Sequence, residues 1–273
     1  MLITIDQDKC KRDGICVMAC GPRIIEMPGT DAFPQVSEEN EEKCIVCGHC
    51  VAACSTGALS HKEMTVAECV PILNDLKLNI DQAEQFLKSR RSIRTYRDKA
   101  VEKEKLKKVI DIASYAPSGH NSRPVHWIVV EDTAKVRRLT QIVVDWMEQM
   151  TKDSPEMAEL MGAEEKVKSW ENGVDRIAKY APHLMIAHAP EMGITPHEDC
   201  ILSLSYLELA AMAMGLGATW LGYMMFASLL CEPFMRELRL PEGHKCFGVM
   251  GVGYPKFKFR RIPSRPSIPT EWR

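Results

Sequence analysis

The sequence has no excess of charge of either sign. Its 273 residues carry 35 Lys and Arg against 37 Asp and Glu, a formal net charge of −2. A surface so balanced offers no global field to nucleic acid or to an anionic membrane, so neither is an expected partner and small-molecule chemistry is. The first residues, "MLITIDQDKC", lack a basic segment followed by a long apolar run, so no secretory leader is expected and the cytoplasm is the expected compartment. An intact G-x-G-x-x-G is also missing, because "GLGATW" from Gly215 lacks the third glycine, which argues against a Rossmann dinucleotide site. His183, His188 and His197 show no metal-ligand spacing and read as structural. No segment is low-complexity, and no repeat occurs outside one duplicated cysteine pattern.

One long uncharged run is present, Leu209 to Cys231, and its length would suit a bilayer. Gly215 and Gly217 punctuate it, as where a buried helix ends and a new element starts, so a membrane span is not expected. The chain length allows a large core with a small satellite. We divide it into a cysteine-dense segment, 1–60, a connector, 61–80, containing Pro71, and a larger domain, 81–273. Asp81 with Glu84 suggests a capping box. Leu106, Val109, Ile110 and Ala113 fall at helical spacing before Pro117. Trp127 to Val130, "HLMIAHA" and "CFGVMGVGYP" read as buried strands, and Val136, Leu139, Thr140, Val143 and Met147 mark another helix. Thr151 to Tyr180 reads as looser helices. The mixture predicts an α+β fold. The helix from about Glu198 to Met214 is apolar nearly all round, which calls for cover on every side and makes a partner subunit its expected source.

Eleven cysteines in a reducing compartment read as metal ligands or buried thiols rather than disulfides. Cys44, Cys47, Cys50 and Cys54 form C-x2-C-x2-C-x3-C, the spacing that wraps soft thiolates round a [4Fe–4S] cluster. Cys10, Cys16 and Cys20 repeat it upstream, with Asp13 where a cysteine would stand. Zinc is the alternative for C-x2-C pairs, and two such runs in tandem favour the clusters. About the first 60 residues resemble the two-cluster bacterial ferredoxins. The resemblance implies one cluster on Cys44, Cys47, Cys50 and Cys20, and another on Cys10, Cys16 and Cys54 with position 13 as its fourth corner. Asp13 is expected either to ligate a labile iron, as a harder oxygen donor, or to leave an open corner and a [3Fe–4S] cluster, or simply to face solvent. Cys69, Cys200, Cys231 and Cys246 are scattered and read as buried thiols.

The larger domain opens with "KSRRSIRTY", where fixed cations and a hydroxyl share one short segment and suit an anionic cofactor. "APSGHNSRPVHW" adds an amide in a loop after a helix, and "GVGYPKFKFRRIPSRP" adds a late basic cluster. Together these segments resemble the FMN-dependent nitroreductase family over about residues 83–273. The resemblance implies a dimeric fold, a mixed sheet flanked by helices, with the flavin at the subunit interface. It implies that Arg90, Arg91 and Ser92 contact the phosphate and flavin ring, that Arg94 supports the reduced flavin, and that Asn121 hydrogen-bonds the ring. Leu221 and Gly222 would face flavin N5, and Arg260 and Arg261 would clamp the phosphate, with Lys258 or Arg265 as alternatives. Tyr223, Met224, Met225 and Phe226 read equally as pocket lining or core.

Joining the halves, the sequence predicts a homodimeric flavin-dependent oxidoreductase. Two iron–sulfur clusters would exchange electrons with FMN to reduce a nitroaromatic, quinone or activated alkene, and FMN rather than a protein acid–base pair would carry the chemistry. NAD(P)H or a ferredoxin-like redox protein would be the donor. The rivals are an NAD(P)H-oxidising electron-transfer protein and a dehalogenase-like or flavin-fragmenting enzyme.

Overall fold

The computed structural model describes residues 1–29 and 31–273. Its contacts divide the chain into two compact units: Met1–Lys77 with His120–Ser122, and Leu78–Gly119 with Arg123–Arg273. Residues 61–77, expected as a connector, therefore lie within the first unit.

The first unit contains β1 (Ile3–Ile5), α1 (Ile15–Ala19), α2 (Glu38–Glu41), α3 (His49–Ala53) and β2 (Leu59–His61). β1 and β2 pair antiparallel, with Thr4 opposite Ser60. Leu2, Ile3, Ile24, Ile25, Val51 and Leu59 form its small core, against which Cys20, Cys44, Cys50 and Cys54 pack.

The second unit contains α4 (Ile80–Ser89), α5 (Lys103–Ala113), β3 (His126–Val130), α6 (Thr133–Asp153), α7 (Pro155–Met161), α8 (Ala163–Glu171), β4 (His183–Pro190), α9 (Pro196–Ala213), β5 (Gly217–Trp220), α10 (Gly222–Leu230), α11 (Glu232–Leu238) and β6 (His244–Gly253). The capping box lies two residues earlier than the sequence suggested: Asn79 accepts from the Gln82 amide at 2.8 Å, and Gln82 reaches back to Asn79. An asparagine in extended backbone caps as well as aspartate does, and the pattern alone did not choose between them.

Four strands order as β3-β4-β6-β5, and every described pair is antiparallel. β4 explains why its sequence is apolar without alternation. Leu184 and Ile186 face a helical layer containing Val136, Val143 and Met147 of α6. Met185, Ala187 and Ala189 face the opposite layer, with Leu106 and Val109 of α5 and Leu204 and Leu207 of α9. A sheet covered on both faces has no polar face to display. α9 approaches so closely that a Cβ at Gly248 would lie 2.2 Å from Leu204 Cδ1. The run from Leu209 to Cys231 breaks into the end of α9, β5 and α10. Among the described residues no helix is long and apolar enough to cross a membrane.

Candidate functional site

In the first unit the duplicated cysteine pattern is also a duplicated backbone. Gly14 (φ 69°) and Gly48 (φ 72°) take left-handed conformations immediately before α1 and α3. Arg12 and Val46, and again Arg23 and Gly57, have positive φ at the same 34-residue offset. Asp13 thus holds the backbone place that Cys47 holds in the second copy. Such turns curl the chain so that alternate side chains converge on one point.

The convergence gives two cavities. Cys20, Cys44, Cys47 and Cys50 line one, with Ile24, Ile25 and His61. Cys10, Asp13, Cys16 and Cys54 line the other, with Ile5 and Leu59. Each set therefore mixes cysteines from both runs. The donors fit iron–sulfur clusters, since soft thiolates hold iron while aliphatic walls exclude water. Among the described residues no three His, Cys, Asp or Glu side chains are placed to hold a single metal ion.

Backbone and side chains also touch the sulfurs. Val46 N–H lies 3.4 Å from Cys44 Sγ, Ala58 N–H 3.2 Å from Cys54 Sγ, and His61 Nε2 3.5 Å from Cys44 Sγ. Such contacts adjust cluster potential. Burial pushes the Cys50 thiol up to about 11 and raises Cys16. Burial acts the same way on Cys54, but the amides of Ala58 and Leu59 and the Thr56 hydroxyl outweigh it and lower that thiol. Asp13 is exposed, and its Oδ1 accepts at 3.1 Å from the N–H of Ile15, the first residue of α1.

The second unit holds a cavity of about 390 Å³ lined by Arg90, Arg91, Arg97, Glu208, Lys258 and Gly215–Ala218, with Tyr254, Phe257 and Phe259 beside them. α4 ends at Ser89 and delivers the two arginines just past its last turn. Glu208 of α9, nearly buried, takes Arg90 Nη1 at 2.9 Å. Arg91 Nε is buried without a hydrogen-bond partner. A guanidinium N–H left unpaired in a buried place calls for an acceptor, and an anion beside further cations satisfies it. The cavity therefore fits the phosphate-bearing part of a flavin nucleotide.

The expected site residues are only partly gathered there. Arg90 and Arg91 line the cavity, and Ser92 Oγ lies 3.5 Å from Arg90 Nη1. Arg94 is exposed. Asn121 falls in the first unit, where its amide donates to the carbonyls of Ile45 and Val46 at 3.0 Å each. Leu221 is buried, its N–H bonded to Val249 O at 2.9 Å, and Gly222 opens α10. Arg260 and Arg261 lie exposed in the extended C-terminal stretch, whereas Lys258 reaches the cavity. Glu208, Arg97 and Tyr254 were missed. The signal for Glu208 was an acid in the apolar part of α9, whose other acids, Glu198 and Asp199, lie in its first turn.

The model of the nitroreductase family matches residues 87–254, and that of the 4Fe-4S binding domain matches residues 38–60. The chain is 27% identical over 178 residues to an Archaeoglobus fulgidus protein provisionally named NADH dehydrogenase/NAD(P)H nitroreductase, covering 65% of this chain and 87% of that one. It is 38% identical over 63 residues to a ferredoxin of Methanothermococcus thermolithotrophicus, covering 22% of this chain and 98% of the ferredoxin. In fold it is similar to a Bacteroides fragilis nitroreductase solved with bound FMN, with a TM-score of 0.54 at 21% identity, covering 71% of this chain and 100% of that one. A ferredoxin segment thus precedes a larger sheet-and-helix unit, and the chain belongs to the nitroreductase family of oxidoreductases.

Proposed function

We propose that this protein is an FMN-dependent oxidoreductase whose two iron–sulfur clusters exchange electrons with the flavin, which reduces a small organic acceptor such as a nitroaromatic, quinone or activated alkene. FMN, when bound, supplies both one-electron and two-electron chemistry and so links single-electron carriers to hydride delivery. The observation that carries the reading is the orphaned Arg91 Nε in a cation-lined cavity, within a chain that also holds two cysteine-rich ligand sets.

Arg91 and Lys258 would hold the phosphate, while Glu208 fixes the Arg90 guanidinium so that it does not swing to solvent. The thiolates of Cys20, Cys44, Cys47 and Cys50 would hold one cluster, and those of Cys10, Cys16 and Cys54, with Asp13, the other. The protein works as a homodimer: α9 buries Leu204 and Leu207 against its own sheet but leaves Leu202 and Tyr206 at 39% exposure, an apolar face that a second copy would cover. NAD(P)H or a reduced ferredoxin supplies the electrons.

The test is an anaerobic reductive titration of protein with iron and flavin quantified, first with NAD(P)H and then with reduced ferredoxin or dithionite. Absorbance would follow the flavin and EPR the clusters. Clusters that reduce before flavin, and only with the low-potential donor, identify them as the electron intake. Prompt bleaching of flavin by NAD(P)H makes them an outlet instead. Protein that holds iron but no flavin would sink the reading.

A further inference from the structure

Three histidines meet on one face of the sheet in the second unit, and none of them lines the cation-rich cavity. The register brings them together. His126 of β3 lies directly opposite His188 of β4, and Pro190, two residues further along β4 and so on the same face, lies opposite His244 of β6. Their ring centres are 5.5, 5.1 and 5.0 Å apart for the pairs 126/188, 188/244 and 126/244. Nδ1 of His188 and Nδ1 of His244 are 2.9 Å apart. His188 is buried, His244 half-buried and His126 exposed.

We propose that His126, His188 and His244 form a binding site for a divalent transition metal ion of the zinc type, separate from the iron–sulfur and flavin sites. Imidazole is a donor suited to zinc, copper and nickel. A tetrahedral ion sits about 2.0–2.1 Å from each ligand nitrogen. With ring centres about 1.2 Å beyond each nitrogen, three imidazoles on such an ion place their centres about 5.2 Å apart. The observed triangle has that size. Two ligand nitrogens would stand about 3.3 Å apart on the same geometry, so the His188 and His244 rings need to open by less than half an ångström from their 2.9 Å contact.

As the rings stand, no three such side chains among the described residues are placed to hold a single ion, so these rings must turn to bind one. For His188 and His244 the adjustment includes a proton shift. Two neutral Nδ1 atoms at hydrogen-bond distance share one proton, so one acts as donor and the other as acceptor. On metal binding that proton moves to Nε2 of its own ring, leaving both Nδ1 lone pairs free for the ion. No proton is gained or lost. Lys245, next to His244 in β6, is paired with Glu191, which lowers its repulsion of an incoming ion.

The test is equilibrium dialysis of the iron- and flavin-loaded protein against low-micromolar zinc chloride at pH 7.5, with zinc and iron counted in the same digest. Wild type should bind about one zinc per chain, and His244→Gln should bind at least tenfold more weakly with its iron unchanged. Because His188 is buried, His126→Gln provides the variant that cannot disturb the core, and it too should lose affinity. His197→Gln, an exposed histidine elsewhere, should bind as wild type does. Equal zinc uptake by wild type, His126→Gln and His244→Gln would overturn the site. So would no uptake at all, or uptake matched by iron loss, which would place zinc on the cysteines.

Discussion

Asp13 stands where the second copy of the turn has Cys47, and its carboxylate is already engaged by Ile15 N–H. A carboxylate is a harder, oxygen donor and would hold iron less firmly than a thiolate. Replacing Asp13 with Cys is expected to raise iron content by up to about one atom per chain and to change the EPR signature of that cluster. Unchanged iron and spectrum would mean that position 13 is not a ligand. A second prediction at this scale concerns His183. Its Nε2 accepts from Val101 N–H and its Nδ1 donates to Glu131 O, both at 2.8 Å, an arrangement open only to the neutral ring. Burial lowers its pKa below the ordinary 6.5. The unfolded chain therefore takes up a proton near pH 6.5 while the folded chain does not, so stability is full above that pH and is lost as pH falls below it. His188 acts in the same direction. The Tm should fall between pH 7 and pH 5, and His183→Gln should flatten the slope. A slope identical to wild type would exclude the assignment.

Among the elements, α6 and α9 show what local pattern can and cannot specify. The apolar spacing of Val136, Leu139, Val143 and Met147 placed one face of α6 in the core, and all four are buried. Its start rests on Asp132, whose carboxylate accepts from Ala134 N–H at 2.8 Å. Asp132→Ala should cost about 1 kcal/mol and lower the Tm of this unit by about 2–4 °C, measurable by differential scanning calorimetry. No change would mean that solvent satisfies that amide equally well. α9 defeats pattern reading, because a helix apolar nearly all round hides which stripe faces its own sheet. The close approach at Gly248 settles it, since only the stripe through Leu204 meets a strand position without a side chain.

At the scale of the molecule, the two units are stabilised differently. The larger has helices on both faces of its sheet. The smaller has a short two-stranded ribbon and a core that includes Cys16 and packs against Cys20, Cys44, Cys50, Cys54 and Cys69. A unit of that size commonly draws its stability from bound metal. Stripping iron with a chelator under reducing, anaerobic conditions should unfold the first unit, seen as rapid proteolysis before residue 78, while flavin absorbance persists in the second. Persistence of both units without iron would show that the hydrophobic core suffices for the first.

The sequence by itself determined the chemistry. Cysteine spacing specified soft donors in two sets, and uninterrupted apolar runs specified strands covered on both faces. These signals are local, because ligand spacing, helix period and burial leave their mark within a few residues. Only the tertiary structure decided which distant groups meet: Glu208 on Arg90, Lys258 rather than Arg260 or Arg261 at the cavity, Asn121 on the carbonyls of Ile45 and Val46, and three histidines from three strands on one face. Those pairings depend on strand register and helix approach, which are set by packing across the whole core and leave no spacing in the chain.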